Sequence, residues 1–232
     1  MKQQLLLLSG LLCDETIWAD IPVRLRDAAD VRVVSFRGFS SIASMAEHVL
    51  AAAPERFAVA GHSMGGRVAL EVVRSAPQRV SGLALLNTGV HTVRHGEPQS
   101  RGRLLQLAYR RGMSALAAEW LPPMLAGGSR MPELMPRLTA MVERSTPDSY
   151  AGQINALLNR PQAQAVLPTI GVPTLLLSGS EDEWSPISQH EIMGRRIPHA
   201  TLFEIHGAGH LAPIERPDAV AVALREWLAK VH

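Results

Sequence analysis

Continuous apolar runs separated by helical patterns are the feature that most constrains the fold of this chain. In the N-terminal part they occupy residues 4–8, 31–36, 57–60 and 83–86. Strands that are apolar at consecutive positions are buried on both faces, as in a parallel sheet covered by helices. Residues 174–177 and 201–205 form two further runs, each followed by a helical pattern. The sequence therefore predicts an α/β fold with a doubly wound, mostly parallel sheet of about six strands.

The alternation of strands and helices stops between residues 91 and 165, where a helical pattern is repeatedly interrupted by proline. Such a stretch is too long for a simple connection between two elements. We predict a core formed by residues 1–90 and 166–232 and an inserted helical lid formed by residues 91–165. A short helix is also predicted from residue 17 to residue 25, with Pro22 as an irregularity in its pattern.

A glycine-rich turn joins the third apolar run to the helical pattern that follows it. Residues 61–65 have the pattern G-x-S-x-G, with Ser63 at the centre. A serine hydroxyl is a weak nucleophile, so it needs a turn that exposes it to a base and directs backbone N–H groups at the developing oxyanion. In this strand–turn–helix context Ser63 is the candidate nucleophile, and the Met64 amide is a candidate oxyanion donor. A turn that only connects strand and helix would show the same short pattern.

Two histidines follow the last apolar run and are candidates for the base. The carboxyl ends of parallel strands meet at one edge of a sheet, which places His206 and His210 near Ser63. His210 is the better candidate because the glycines before it allow its loop to bring the ring inward, whereas His206 directly follows the strand and is interpreted as structural. Their spacing would suit metal ligands on a helix, but Gly207 and Gly209 disfavour a helix, so no metal site is predicted.

The acid that would orient His210 is expected in the loop after residues 174–177. Residues 179–186 read Gly-Ser-Glu-Asp-Glu-Trp-Ser-Pro and resemble the G-x-x-D-x-x-x-P acid loop of the α/β-hydrolase family. Residues 207–210 resemble the histidine loop of that family, and the order Ser, Asp, His is the same. The resemblance assigns the acid to Asp182 and implies an α/β-hydrolase fold. Some relatives carry the acid after the strand that follows the nucleophile, where this chain has Asn87 and Thr88 and no carboxylate.

The resemblance also implies a second oxyanion donor in the loop after the first strand. The family commonly has His-Gly there, and this chain has Ser9 and Gly10 followed by Leu11. The donor is a backbone amide, so the changed side chain leaves the role with Leu11. The antiparallel hairpin that usually precedes this strand in the family has no room before residue 4, which predicts a trimmed sheet with residues 31–36 as an edge strand.

Apolar residues of the insertion could form a pocket for an acyl or alkyl group, because methionine adapts to irregular apolar shapes. Packing of the lid helices onto the core explains the same residues equally well. The candidate pocket residues, inside and outside the insertion, are His62, Trp120, Met124, Trp184 and Leu211. The insertion also has an excess of arginine between residues 94 and 111. These cations could attract a carboxylate or an acidic carrier protein, or could form a solvated helix face.

Composition and charge argue against several classes of protein. The net charge is only +2, and basic residues outside the insertion are dispersed, so no nucleic-acid partner is predicted. No run approaches the roughly 20 apolar residues of a membrane span, so no membrane association is predicted. The apolar start of the chain up to Cys13, the single cysteine, resembles a short signal peptide, but it lacks a small-residue cleavage site and includes a predicted strand. We therefore expect a cytoplasmic protein without an internal disulfide.

The resemblance to lidded carboxylesterases and carrier-protein methyl ester esterases of this family implies a serine esterase. Ser63 would form an acyl-enzyme with a small carboxylic ester or thioester, His210 would act as general base and acid, and Asp182 would orient His210. The implied partner is a small-molecule substrate or a carrier-bound acyl group, with no cofactor, for a monomer or homodimer. The same fold and residues also serve carbon–carbon bond hydrolases, lactonases, haloperoxidases, lyases and non-catalytic ligand receptors, and the sequence leaves these alternatives open.

Overall fold

The structure is a computed structural model that describes residues 2–127 and 131–232. Its strands within these residues are β1 (Gln3–Leu8), β2 (Ala29–Val34), β3 (Phe57–His62), β4 (Val80–Leu86), β5 (Thr174–Gly179) and β6 (Thr201–Ile205). They form one sheet in the order β2-β1-β3-β4-β5-β6, and every neighbouring pair is parallel. The prediction of a doubly wound parallel sheet of six strands is confirmed.

The central strands are buried along their whole length, which explains their continuous apolar sequences. Every residue of β3, β4 and β5 is buried. The strand β2 lies at one edge of the sheet, as predicted, and is only partly buried. It covers Ala29–Val34 rather than residues 31–36, because its pairing with β1 begins at Ala29 and ends at Val34.

The helices that connect or follow these strands are α1 (Ile21–Leu25), α2 (Ile42–Ala52), α3 (Met64–Ser75), α4 (Glu97–Trp120), α5 (Met135–Glu143), α6 (Pro147–Leu158), α7 (Ile187–Gly194), α8 (Ala212–Glu215) and α9 (Pro217–Leu228). Short 3-10 turns lie at Glu15–Trp18, Pro77–Arg79, Pro122–Met124 and Leu167–Thr169. None of the helices described for residues 2–127 and 131–232 combines the length and apolar character needed to cross a membrane.

The prediction of one helix from residue 17 to residue 25 is wrong. A 3-10 turn at Glu15–Trp18 is followed by the separate short helix α1. Proline has no backbone N–H to donate in a helix interior, but it is well tolerated in the first turn. Pro22 accordingly lies at the start of α1 rather than within a longer helix.

Helices α4, α5 and α6 lie between β4 and β5, in the part of the chain predicted as an insertion. The helix α4 packs against both α5 and α6. It is interrupted at Gly112, whose φ of 82° and ψ of 175° are not helical. The division into a core of residues 1–90 and 166–232 and a lid of residues 91–165 stays a prediction, and its residues 1 and 128–130 lie outside the described residues.

Asp14 connects the insertion to the core. Its buried carboxylate, in the loop after β1, accepts hydrogen bonds from Arg37 Nη2 at 2.7 Å and from Arg144 Nε at 2.9 Å. Arg144 follows α5 directly, and the Thr16 amide donates to the same carboxylate at 2.9 Å. Burial opposes ionisation, but the hydrogen bonds from Thr16 and Arg144 hold the pKa of Asp14 below its ordinary value. The carboxylate is therefore charged at neutral pH.

Candidate active site

Ser63 lies in the sharp turn between β3 and α3. Its backbone angles, φ 53° and ψ −117°, are ones that residues with a side chain rarely adopt. Backbone segments approach closely around it: a Cβ atom at Gly61 would lie 2.3 Å from the Gly65 carbonyl oxygen, and one at Gly65 would lie 2.2 Å from the Leu8 carbonyl oxygen. Only glycine fits at either position, and the resulting turn holds Ser63 at the carboxyl end of the sheet.

His210 and Asp182 continue from Ser63 in one hydrogen-bonded series. His210 Nε2 lies 2.9 Å from Ser63 Oγ, and His210 Nδ1 lies 2.9 and 3.0 Å from the two carboxylate oxygens of Asp182. The three residues follow β3, β6 and β5, whose carboxyl ends lie at the same edge of the sheet. Because a carboxylate can only accept, Nδ1 carries the proton and Nε2 is able to accept the proton of the Ser63 hydroxyl.

Asp182 is held as an ionised carboxylate by several donors. The Trp184 and Ser185 amides donate to Oδ1 at 2.9 Å each, and the Asn87 side-chain amide donates to Oδ2 at 2.9 Å. Burial alone would favour the neutral acid. The His210 ring and the hydrogen bonds from His210, Asn87 and Ser185 nevertheless hold the pKa of Asp182 well below its ordinary value. Asp182 is therefore negative at neutral pH and can stabilise a protonated His210.

Asn87 is a residue of this site that no sequence motif identifies. It follows β4, at the place where some relatives carry the acid, and has a φ of 49°. Its side-chain amide also donates to the Gly209 carbonyl oxygen at 3.2 Å, so it connects Asp182 to the loop of His210. The signal that could have found it is its position after the strand next to β3, at the edge where Ser63 lies.

Glu215 fixes the loop that carries His210, and no sequence signal marks it. Its buried carboxylate accepts hydrogen bonds from the Gly209 and Leu211 amides at 3.0 Å each and from the Ala126 amide at 2.8 Å. Burial outweighs these hydrogen bonds and raises the pKa of Glu215. Because Ala126 belongs to the segment after α4, Glu215 joins the insertion to the histidine loop.

The backbone of His210 is held by two further hydrogen bonds. Its amide donates to the Met124 carbonyl oxygen at 2.7 Å, and its carbonyl oxygen accepts from His62 Nε2 at 2.8 Å. His62 must therefore carry its proton on Nε2. Burial, followed by the nearby His210 ring, lowers the pKa of His62 to about 3, so this ring is neutral at neutral pH. Two residues predicted to line a pocket thus also support the histidine loop.

Leu11 and Met64, predicted as oxyanion donors, both lie close to Ser63. Met64 follows it directly at the start of α3. The loop after β1, which contains Leu11, also approaches Ser63. A Cβ atom added at Gly10 of this loop would lie 3.2 Å from Ser63 Cβ. In the described part of the chain, neither the Leu11 nor the Met64 amide donates a hydrogen bond to another residue. Both N–H groups therefore lack a protein acceptor within residues 2–127 and 131–232.

Gln153 holds the loop that contains Leu11. Its side-chain oxygen accepts from the Leu12 amide at 2.8 Å, and its side-chain amide donates to the Phe36 carbonyl oxygen at 2.8 Å. Leu12 has a φ of 57°, an unfavourable conformation for a leucine that needs such support. Gln153 lies on α6, so the insertion helps to position the loop of Leu11.

A cavity of about 590 Å³ opens beside Ser63. All the predicted pocket residues line it, namely His62, Trp120, Met124, Trp184 and Leu211. Trp120 and Met124 come from α4 and the turn after it, so the insertion forms part of the wall. Met113 and Met141 of the same insertion are buried in its packing and not in the cavity wall. The methionines of the insertion are therefore divided between the two roles that the sequence leaves open.

Other groups that the sequence offers as candidates for chemistry do not belong to the hydrogen-bonded series of Ser63, His210 and Asp182. Cys13 lines the cavity, but burial raises the pKa of its thiol, so the thiol is protonated at neutral pH. His206, interpreted as structural from the sequence, is exposed. Within residues 2–127 and 131–232, no group of histidine, cysteine, aspartate or glutamate side chains is arranged to hold a metal ion.

Known proteins resemble this chain over most of its length. It is 31% identical over 201 residues to the carbamate hydrolase candidate RutD of Klebsiella pneumoniae, a match that covers 82% of this chain and 73% of that protein. It is 27% identical over 241 residues to the pimeloyl-[acyl-carrier protein] methyl ester esterase of Edwardsiella ictaluri, covering 97% of this chain and 93% of that protein. The solved structure of a thermophilic esterase from Thermogutta terrifontis matches with a TM-score of 0.88 at 29% identity, covering 100% of this chain and 91% of that one.

A family model also matches most of the chain. Residues 5–223 match the model described as the alpha/beta hydrolase family, and that range includes every strand after the start of β1. The parallel six-stranded sheet and its flanking helices agree with this match. The chain belongs to the alpha/beta hydrolase family.

Proposed function

We propose that the chain is a serine hydrolase that cleaves small carboxylic esters or thioesters. The observation that most directly supports this is the 2.9 Å separation of His210 Nε2 from Ser63 Oγ, with Asp182 bound to the other nitrogen of the ring. This arrangement suits removal of the hydroxyl proton as the serine oxygen attacks a carbonyl carbon. Two similar proteins, a methyl ester esterase and a thermophilic esterase, favour an ester among the possible substrates.

The reaction would proceed through an acyl-enzyme. As Ser63 attacks, the Leu11 and Met64 amides stabilise the oxyanion, and His210 transfers the proton to the departing alcohol or thiol. Water then attacks the ester on Ser63, with His210 as base, and the acid leaves. Asp182 remains ionised throughout and keeps the proton of the ring on Nδ1.

The insertion, residues 91–165, acts as a lid in this proposal. Trp120 and Met124 give the cavity an apolar wall that suits an acyl or alkyl group, and its volume of about 590 Å³ accommodates a small substrate. The reaction requires no cofactor. A carrier-bound acyl group belongs to the proposal because a relative of nearly equal length is named as an esterase of such a substrate. A cytoplasmic location fits the single, buried cysteine.

Replacement of Ser63 tests the proposal. Ser63→Ala should lower kcat for p-nitrophenyl acetate and butyrate by a factor on the order of a thousand or more, because it removes the hydroxyl that would attack the carbonyl carbon. Ser75→Ala is the matched control, since Ser75 is exposed at the far end of the same helix. Mass spectrometry of the parental protein after incubation with either ester should find the acyl group on Ser63.

Two results would count against this function. Full turnover by Ser63→Ala would show that another group is the nucleophile. Binding of esters and thioesters of graded chain length by the parental protein, without turnover of any of them, would instead indicate a ligand receptor.

A further inference from the structure

One group of residues on the wall of the cavity is strongly basic. It contains four arginines and one glutamate, namely Arg67, Arg94, Arg101, Arg160 and Glu97. The wall has one further carboxylate, Glu183, which lies in the loop after β5 and is exposed to solvent. Positive charge therefore exceeds negative charge on this wall.

Glu97 already accepts hydrogen bonds from its neighbours. Its single negative charge cannot neutralise the four arginines of the group. Arg160 donates to its two carboxylate oxygens at 2.7 and 2.8 Å, and Arg101 donates at 2.9 Å. The Arg94 amide donates to it at 3.0 Å. Burial opposes ionisation, but these hydrogen bonds, that from Arg160 first, lower the pKa of Glu97 to about 2. Glu97 is thus a carboxylate whose charge is shared between Arg160 and Arg101.

Arg67 is a buried cation, and the Glu97 carboxylate that attracts it is already hydrogen-bonded to Arg160 and Arg101. It lies on α3, one helical turn after Ser63, and is only 8% exposed. Its guanidinium donates one hydrogen bond within the described residues, from Nη2 to the His91 carbonyl oxygen at 3.1 Å, and it forms no ion pair with any carboxylate there. Burial, followed by repulsion from Arg160, lowers the pKa of Arg67 to about 9, so the group is still mostly charged at neutral pH. A buried charge with unused donors is costly unless an anion joins it.

We propose that Arg67, assisted by Arg101, binds a carboxylate of the substrate in the cavity. This inference rests on the proposed function and narrows it to esters or thioesters whose cavity-bound part carries a distal carboxylate. A planar guanidinium can donate two parallel hydrogen bonds to a carboxylate, which suits arginine to this role. Arg67 lies four residues after Ser63, a rise of roughly 6 Å along the helix, to which the side chain adds its own length. The spacing fits a carboxylate separated from the scissile carbonyl by several methylene groups.

Two methyl esters of equal length test the proposal. Monomethyl adipate and methyl hexanoate differ only in carrying a carboxylate or a methyl group at the far end. The parental protein should have a kcat/KM for monomethyl adipate about tenfold or more above that for methyl hexanoate. Arg67→Gln should lower kcat/KM for monomethyl adipate about tenfold or more, chiefly through KM, and change that for methyl hexanoate less than about twofold.

The matched control is Arg103→Gln. Arg103 is exposed on α4, pairs with Glu119 and does not line the cavity, so neither ester should be affected. A folded Arg67→Gln protein, judged by circular dichroism, that loses activity on both esters equally or on neither would overturn the proposal.

A measurement on the parental protein keeps the proposal testable if Arg67→Gln does not fold. Adipate should inhibit hydrolysis of p-nitrophenyl acetate with an inhibition constant about tenfold below that of hexanoate, which lacks the distal carboxylate. Equal inhibition constants would overturn the proposal.

A separate measurement distinguishes failure of the proposed hydrolase activity from failure of the proposed carboxylate site. If the parental protein does not hydrolyse p-nitrophenyl acetate, the proposed hydrolase activity fails. Calorimetric titration of adipate into Ser63→Ala still tests the carboxylate site, because adipate should bind that variant about tenfold more tightly than hexanoate does. Equal affinities there would overturn the carboxylate site.

Discussion

Asn87 shows at the scale of single residues what local sequence can and cannot reveal. Ser63, Asp182 and His210 can be predicted because each lies in a short segment whose glycines and spacing are visible in the chain. Their partners Asn87 and Glu215 lie in no such segment. These partners act only because separate loops converge at one edge of the sheet, so their roles depend on tertiary structure that no local pattern encodes.

Replacement of Asn87 by glycine should isolate its hydrogen bonds. Glycine accepts the φ of 49° without strain, so Asn87→Gly removes the side-chain amide and leaves the turn intact. We expect kcat for p-nitrophenyl butyrate to fall about tenfold with little change in KM, because Asp182 and the His210 loop lose a common donor. Steady-state kinetics measure this, and the exposed Asn159→Ala should behave like the parental protein. An unchanged kcat in Asn87→Gly would contradict a positioning role for Asn87.

At the scale of elements, strands were more predictable than helices. Runs such as residues 57–60 and 83–86 indicate buried strands because burial on both faces leaves no alternation of polar and apolar residues. Helices depend on details that hydrophobic periodicity does not capture. Pro22 lies in the first turn of a short helix and not in the interior of a longer one, and Gly112 interrupts α4 in a conformation that glycine alone adopts readily.

Two glycines of α4 offer a matched test of that interruption. Gly112→Ala should destabilise the protein by about 1–3 kcal/mol, since alanine is strained at φ 82° and ψ 175°. Gly102→Ala should stabilise it by up to about 1 kcal/mol, because Gly102 lies in the same helix without a positive φ and with open space around it. Urea unfolding of both variants measures the difference. Equal effects of the two substitutions would mean that α4 is continuous through residue 112.

At the scale of the whole molecule, the sheet follows from general rules of connection, whereas the cavity does not. Apolar runs separated by helical patterns imply parallel neighbours and helices on both faces. The wall of the cavity, by contrast, combines residues from α3, α4 and the loops after β1, β4, β5 and β6. Its basic group arises because Arg67 of the core meets Arg101 and Arg160 of the insertion, which no linear pattern brings together.

The attachment of the insertion to the core can be measured through Asp14. Asp14→Asn should lower the free energy of unfolding by about 2 kcal/mol, because the buried negative charge that binds Arg37 and Arg144 is lost. Asp218→Asn is the control, since Asp218 forms an exposed ion pair with Arg24 and should change stability little. Chemical unfolding at neutral pH measures both. Equal stability of the two variants would argue against Asp14 as the attachment.

The segment after α4 forms part of the cavity wall and also holds the loop of His210 in place. Met124 accepts the His210 amide and Ala126 donates to Glu215, so any displacement of that segment from the core must break these bonds. The same displacement that opened the cavity would therefore leave the loop of His210 without these two hydrogen bonds, which are two of the contacts that hold His210 beside Ser63.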